Sequence, residues 1–178
     1  RICASTKSDI FSAVAAAIGA LRGPLHGGAN EAAMHLIESF KSVEDAIEGV
    51  NKKLENKELL MGFGHRVYGL GGDPRNALIK VWSKHLGGDD LLFKISEAIE
   101  ALMKEKRPSL PPNADFYSAS AYHFMGIPTE YFTPIFIMSR VSGWCAHIKE
   151  QRANNKLIRP SSEYIGVEPR KFVKIQDR

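Results

Sequence analysis

Apolar positions recur three and four residues apart along most of this chain, and apolar and polar residues do not alternate as they would in a half-buried strand. Gly, Pro, Ser and Asp interrupt the pattern, and these residues commonly start or end helices. The pattern therefore predicts an all-α protein.

The interruptions divide the chain into seven predicted helices. They cover residues 9–20, 30–40, 42–54, 74–86, 89–106, 115–126 and 133–154. In the third, Ser42 and Asp45 have the spacing of a capping box, and the residues expected to face inward are Val43, Ala46, Ile47, Val50 and Leu54. Residues 155–178 lack a helical face, so we predict an extended tail that must dock on another surface if it is ordered.

Composition narrows the possible classes of protein. The chain has 178 residues, 44% of them hydrophobic, and its net charge of +4 is scattered rather than gathered in a basic stripe. No apolar run is long enough to cross a bilayer. The two cysteines, Cys3 and Cys145, lack the spacing of metal ligands and fit a reducing compartment. We predict an intracellular protein with no membrane anchor, metal site or nucleic-acid partner.

Two histidines lie in glycine-rich loops. His26 is in GPLHGGANE, and His65 is in GFGHRVYG. Either one alone could simply fill a turn between helices, but two such loops favour a functional site. The glycines do not form a dinucleotide-binding fingerprint, because its third glycine is missing. They do not form a P-loop either, because the sequence lacks GxxxxGK[ST].

One carboxylate and three arginines are further candidates. Asp115 and Arg75 each lie in the first turn of a predicted helix. Asp115 could act as a base, or it could only cap its helix. Arg75 could bind an anion, or it could only pair with Asp73. Arg140 is surrounded by apolar residues, so we expect it to be partly buried and to need an anion. Arg159, considered by itself, is typical of a solvated residue on the tail. Together these residues indicate acid–base chemistry on a substrate that carries carboxylates.

Five motifs in order resemble the C-terminal portion of the citrate synthase family, which includes 2-methylcitrate synthase. They are GPLHGGANE, MGFGHRVY followed by DPR, NADFYSAS, SRVSGWCAHIKEQ, and LIRP with Y-x-G, and they extend over essentially the whole chain. The resemblance implies a two-lobed all-α fold. Residues 1–30 would end a large-domain segment, 31–125 would form mainly the small, acyl-CoA-binding domain, and 126–178 would be the C-terminal helix and tail of the large domain.

The resemblance also implies a reaction and a role for each candidate. In a Claisen condensation of acetyl-CoA or propionyl-CoA with oxaloacetate, Asp115 would remove the α-proton, His26 would stabilise the enolate oxygen and His65 would polarise the ketone. Arg75, Arg140 and Arg159 would hold the carboxylates of the substrate. The segment implied to contact CoA consists of Leu60, Met61, Gly62, Phe63 and Gly64.

The resemblance further implies a homodimer in which Arg159 reaches the site of the partner subunit, no metal, and no tightly bound cofactor beyond the acyl-CoA co-substrate. The location would be the cytoplasm, or the mitochondrial matrix in a eukaryote. The family carries another substrate-binding histidine upstream of the matched region, so we expect the chain to be a fragment. The alternatives are a non-catalytic fragment or paralogue that dimerises or binds CoA, and a purely structural helical protein.

Overall fold

The computed structural model describes residues 1–178, except for the side chain of Leu70. Its helices are α1 (Ile2–Ser5), α2 (Ile10–Leu21), α3 (Ala29–Glu38), α4 (Val43–Glu55), α5 (Pro74–Gly87), α6 (Leu91–Lys106), α7 (Ala114–Phe124) and α8 (Phe132–Ala153). Short 3-10 turns occupy Gly69–Gly71, Thr129–Tyr131 and Ile175–Asp177. The described residues contain no strand, only an isolated bridge between Phe63 and Pro112. The predicted all-α class is confirmed.

Side-chain caps start five of the helices. In each, the residue before the helix accepts a hydrogen bond from a backbone N–H of the first turn, an arrangement worth about 1 kcal/mol; the caps are Asp9, Ser42, Asp73, Asp90 and Asn113. These caps explain why most predicted helix starts agree with the structure to within one residue.

Two predicted helix starts need correction. The helix expected from residue 89 begins at Leu91, because Asp90 is its cap. The last helix was expected at Thr133-Pro134 but begins at Phe132, because the 3-10 turn of Thr129–Tyr131 leads directly into it. Pro134 then lies in the first turn, where a missing backbone N–H costs no intrahelical hydrogen bond.

The main core lies where α3, α4, α6 and α7 meet. Its largest fully buried side chains include Phe93, Ile99, Phe116 and Tyr117. Ile47 corrects the sequence prediction: it is 39% exposed, whereas Ala46 is fully buried. Consecutive helical residues point about 100° apart, and on α4 the narrow inward face includes Ala46 but leaves Ile47 at its edge.

A second, smaller cluster joins α1 and α2 to α8 through Ala4, Ala13 and Ile148. Much of α8 is exposed in this chain, including Met138 at 74%. The tail after residue 154 is non-helical up to Lys174, as predicted. Its residues are exposed in this chain, so the surface on which it was expected to dock is not identified. The division at residues 30 and 125 stays a prediction. No helix among the described residues has both the length and the hydropathy needed to traverse a bilayer.

Candidate active site

A cleft of about 360 Å³ brings together the loop histidines, the carboxylate and the glycine-rich segment. Its walls are formed by Leu25, His26, Ala29, Leu59, Leu60, Met61, Gly62, Phe63, Gly64, His65, Arg66, Asn113 and Asp115. His26, His65 and Asp115 come from three separate parts of the chain. The fold therefore places all three candidate acid–base groups, and the whole 60–64 segment, around one space.

The 60–64 segment is held against the start of α7 by backbone hydrogen bonds. The N–H of Gly64 donates to the carbonyl of Pro111 at 2.7 Å, and the N–H of Asn113 donates to the carbonyl of Gly62 at 2.9 Å. The Asn113 side chain adds a bond from Nδ2 to the carbonyl of Gly64, also at 2.9 Å. The segment and Asp115, two residues after Asn113, are thus positioned by the same set of contacts.

The turn that carries His26 is closed by bonds from the N–H of His26 to Gly23 and from the N–H of Gly27 to Leu21, at 2.9 and 2.7 Å. A Cβ on Gly27 would lie 2.4 Å from the side chain of Leu21, and one on Gly28 would lie 2.9 Å from the carbonyl of Arg22. At these two positions the absence of a side chain lets the chain approach itself closely. His26 itself is exposed to the cleft.

His65 presents a defined face to the cleft. Its Nδ1 accepts a hydrogen bond from the backbone N–H of Val67 at 3.0 Å. A neutral imidazole has one donor and one acceptor nitrogen, so Nε2 carries the proton. The ring lies 4.5 Å from that of Tyr68, measured between centroids. Its surroundings therefore prepare His65 to donate a hydrogen bond from Nε2.

Asp115 is mostly buried in the first turn of α7. Burial raises its pKa from 3.8 to about 6; the charge of Asp73 acts in the same direction, and those of Arg75 and His65 oppose it. A carboxylate with a pKa near 6 is a stronger base than an exposed one and is still ionised at neutral pH. The helix is capped by Asn113, so Asp115 is not needed as its cap.

Arg75 pairs with Asp73, as one of the two sequence hypotheses expected. Its Nε donates to Oδ1 at 2.9 Å and an Nη donates to Oδ2 at 2.6 Å. The Asp73 side chain is completely buried, whereas that of Arg75 is 63% exposed. The buried carboxylate therefore orients the guanidinium, and the remaining N–H groups stay available to an anion.

Arg75 lines a second cleft, of about 150 Å³, to which Asp115 also contributes. This smaller cleft is lined by Asn30, Arg75, Ile79, Ala114, Asp115, Ser118, Tyr122, Phe132 and Phe136. Asp115 is the one residue among the candidate acid–base groups that lines both clefts.

The expected burial of Arg140 is wrong. Its side chain is exposed, and its guanidinium lies over the ring of Phe136 at 4.9 Å from the centroid. The apolar residues next to Arg140 in sequence are spread around the circumference of α8, and most of that helix is exposed in this chain. Arg159 is also exposed, on the tail, and lines neither cleft. The structure of this chain thus brings Arg75 to the site but does not bring Arg140 or Arg159 into either cleft.

Sequence reasoning missed Asn30, Asn113 and Phe136 as parts of the site. Asn30 is buried, and its Nδ2 donates to the backbone carbonyl of Asp115 at 2.7 Å. A polar residue in the first turn of a helix is too common to signal such a contact across 85 positions. Among the described residues, no group of three or more His, Cys, Asp or Glu side chains is arranged to hold a metal ion.

Comparison with known proteins gives a consistent result. The sequence model of the citrate synthase C-terminal domain matches residues 1–161. The chain is 60% identical to 2-methylcitrate synthase of Shewanella oneidensis and 51% identical to citrate synthase 2 of Bacillus subtilis; each alignment covers all of this chain and 48% of the relative.

The same likeness holds in three dimensions. The ternary complex of Thermoplasma acidophilum citrate synthase with carboxymethyl coenzyme A and oxaloacetate is 36% identical, with a TM-score of 0.93 over 99% of this chain and 49% of that one. The chain thus spans about half the length of the relatives it matches. Its sequence and its fold place it in the citrate synthase family.

Proposed function

We propose that the protein to which this chain belongs condenses an acyl-CoA thioester with oxaloacetate, releasing CoA and a tricarboxylate. The observation that carries the proposal is the convergence of His26, His65, Asp115 and the 60–64 segment on one cleft. A similar structure, that of the Thermoplasma acidophilum enzyme, was solved with a CoA derivative and oxaloacetate together. A non-catalytic module is not favoured, because such a module would need neither a buried base nor oriented donors around it.

In the proposed reaction, Asp115 removes a proton from the α-carbon of the thioester. The electron pair moves to the thioester oxygen, where His26 donates a hydrogen bond. The α-carbon then attacks the ketone carbon of oxaloacetate, and the Nε2–H of His65 donates to the ketone oxygen as it becomes a hydroxyl. Water finally cleaves the thioester and frees the CoA thiol. Donors held in place around developing oxygen charge supply much of such a rate enhancement.

The three arginines are proposed to bind the carboxylates of oxaloacetate. Arg75, oriented by Asp73, is proposed to hold one carboxylate of oxaloacetate at the smaller cleft, while His65 meets the ketone from the larger cleft. Arg140 and Arg159 are proposed to hold the other carboxylate once the protein is assembled. Arg159 would come from the partner subunit of a homodimer, which is consistent with its position on an exposed tail. Leu60 to Gly64 are proposed to receive CoA. A cytoplasmic location, or the mitochondrial matrix in a eukaryote, stays a prediction.

The first test is release of CoA thiol by the full-length natural protein, mixed with oxaloacetate and either acetyl-CoA or propionyl-CoA. We expect turnover with both, since the relatives at 60% and 51% identity are a 2-methylcitrate synthase and a citrate synthase. One methylene contributes only about 1 to 3 kcal/mol to discrimination. A folded full-length protein that releases no thiol with either acyl-CoA would contradict the proposal.

Arg75→Gln should separate binding of the two substrates. Loss of a bidentate anion contact is expected to raise the KM for oxaloacetate by about 10- to 100-fold, since a charge-assisted hydrogen bond is worth about 1.5 to 3 kcal/mol. The KM for acyl-CoA should change little. Lys84→Gln removes an exposed cation from the same helix and serves as the control. Equal KM values for oxaloacetate in the two variants would exclude Arg75 from the substrate site.

A further inference from the structure

Asn30 links the helix that follows His26 to the turn that carries Asp115. It is the second residue of α3, and its side chain crosses to α7. There Nδ2 donates to the carbonyl of Asp115 at 2.7 Å and to Oγ of Ser118 at 2.9 Å. The residue is only 3% exposed. Both bonds are therefore sheltered from competing water, which makes them more costly to lose than exposed ones.

The chemistry of the partners sets the orientation of this amide. A backbone carbonyl can only accept, and the Ser118 hydroxyl already donates to the carbonyl of Ala114 at 2.7 Å. Nδ2 must therefore face α7. Oδ1 faces away and has no hydrogen-bond partner within the described residues, although it is buried. An unpaired buried oxygen costs stability, so the two bonds from Nδ2 to α7 are what an asparagine contributes at this position.

We propose that Asn30 is a positioning residue for the proton transfer made by Asp115, an inference that rests on the proposed function. By holding the carbonyl of Asp115, Asn30 fixes the backbone from which the carboxylate projects. It also ties that backbone to α3, which begins three residues after His26. The base and the donor to the thioester oxygen thus share one rigid connection. Misplacement of a reacting group by about 1 Å can cost on the order of 100-fold in rate.

The test is Asn30→Leu in the full-length enzyme. Leucine keeps the branched outline of asparagine at Cγ and removes both donors and the unpaired oxygen. It is larger than asparagine and can overpack a buried site, so Asn30→Ala, which cannot overpack it, is the second variant. We expect kcat to fall by about 10- to 100-fold, with the KM for oxaloacetate changed less than about twofold. The isotope effect with acyl-CoA deuterated at the α-carbon should rise, because proton removal becomes more strongly rate-limiting.

Ser83→Ala is the matched control. Ser83 is fully buried, and its hydroxyl lies 2.8 Å from that of Ser120, so this pair also links α7 to a neighbouring helix, but away from Asp115. The control should lower the thermal midpoint and leave kcat and the isotope effect unchanged. Asn30→Ala, measured alongside, should show the same kinetic change as Asn30→Leu with a larger loss of stability.

The outcomes distinguish the two proposals. Slower turnover with a raised isotope effect in both Asn30 variants, and not in Ser83→Ala, supports the positioning role. An active wild-type enzyme whose Asn30→Leu variant keeps its kcat and isotope effect overturns that role alone. A full-length wild-type protein without turnover overturns the proposed function and the role of Asn30 with it.

Discussion

Replacing Asp115 with asparagine is expected to abolish most of the turnover and at the same time to stabilise the protein. General-base catalysis typically contributes about 10²- to 10⁴-fold, and the amide cannot accept the proton. The gain in stability comes from removing a buried charge. Burial raises the pKa of Asp115 to about 6, so the ionised carboxylate destabilises the folded state. The difference from the ordinary value of 3.8 corresponds to up to about 3 kcal/mol at neutral pH.

The sign of the pH dependence follows from proton binding. Between about pH 4 and 6 the folded state holds this proton more tightly than the unfolded chain, so the wild-type protein loses stability as the pH rises. The amide of the Asp115→Asn variant cannot ionise, so the variant does not share that loss. Denaturant unfolding of both proteins should therefore give similar free energies near pH 4 and diverge by about pH 7. Activity of the wild type should rise as the pH increases through about 6.

Asp89→Asn is the control for this comparison, because it neutralises an exposed carboxylate away from both clefts. It should keep its activity and show no divergence between about pH 4 and 7. If Asp115→Asn behaves like Asp89→Asn, or is less stable than the wild type at neutral pH, then Asp115 is not the strained base proposed here.

Gly62→Ala is expected to destabilise the fold by about 3 kcal/mol. Gly62 has a φ of +87°, which L side chains rarely adopt, and a Cβ there would lie 2.8 Å from Cδ2 and 3.2 Å from Cα of Phe116. Phe116 is fully buried next to Asp115, so it cannot move aside without disturbing α7. The variant should lose turnover as well as stability.

Gly71→Ala provides the comparison from the same loop. A Cβ at Gly71 meets no atom within 4 Å, and the φ of this residue is not in the left-handed region. We expect its free energy of unfolding to stay within about 0.5 kcal/mol of the wild type. Urea unfolding of the wild type, Gly62→Ala and Gly71→Ala measures the free energy of unfolding of each. Equal midpoints for the two variants would show that the approach to Phe116 is not as close as the structure gives.

Helix positions were largely predictable because their start signals are local. Asp9, Ser42 and Asp73 cap helices through bonds to residues two or three positions away, and such spacing is visible in a sequence. Exposure was less predictable. Apolar neighbours in sequence suggested that Arg140 is partly buried, but burial depends on what packs against α8, and in this chain little does.

In the site, too, local sequence features were predictable and contacts between distant segments were not. Glycine-rich loops pointed to His26 and His65, and family resemblance assigned their roles. Their meeting in one cleft depends on contacts between distant segments, such as the bond from Gly64 to Pro111. Asn30 lies in the motif GPLHGGANE, but its role could not be found in this way, because its partner is 85 positions away and the motif does not show that contact.

Asp115 lines both clefts, and this layout has a consequence for how the protein could change over evolutionary time. Ile79 and Phe136 shape only the smaller cleft, whereas Leu25 and Leu59 shape only the larger. Substitutions at Ile79 or Phe136 can alter the room at the smaller cleft, and substitutions at Leu25 or Leu59 the room at the larger, without replacing the base. Under the proposed function, the space around the carboxylate held by Arg75 and the space around the acyl-CoA can therefore change by separate substitutions, while Asp115 keeps the proton-transfer step common to both.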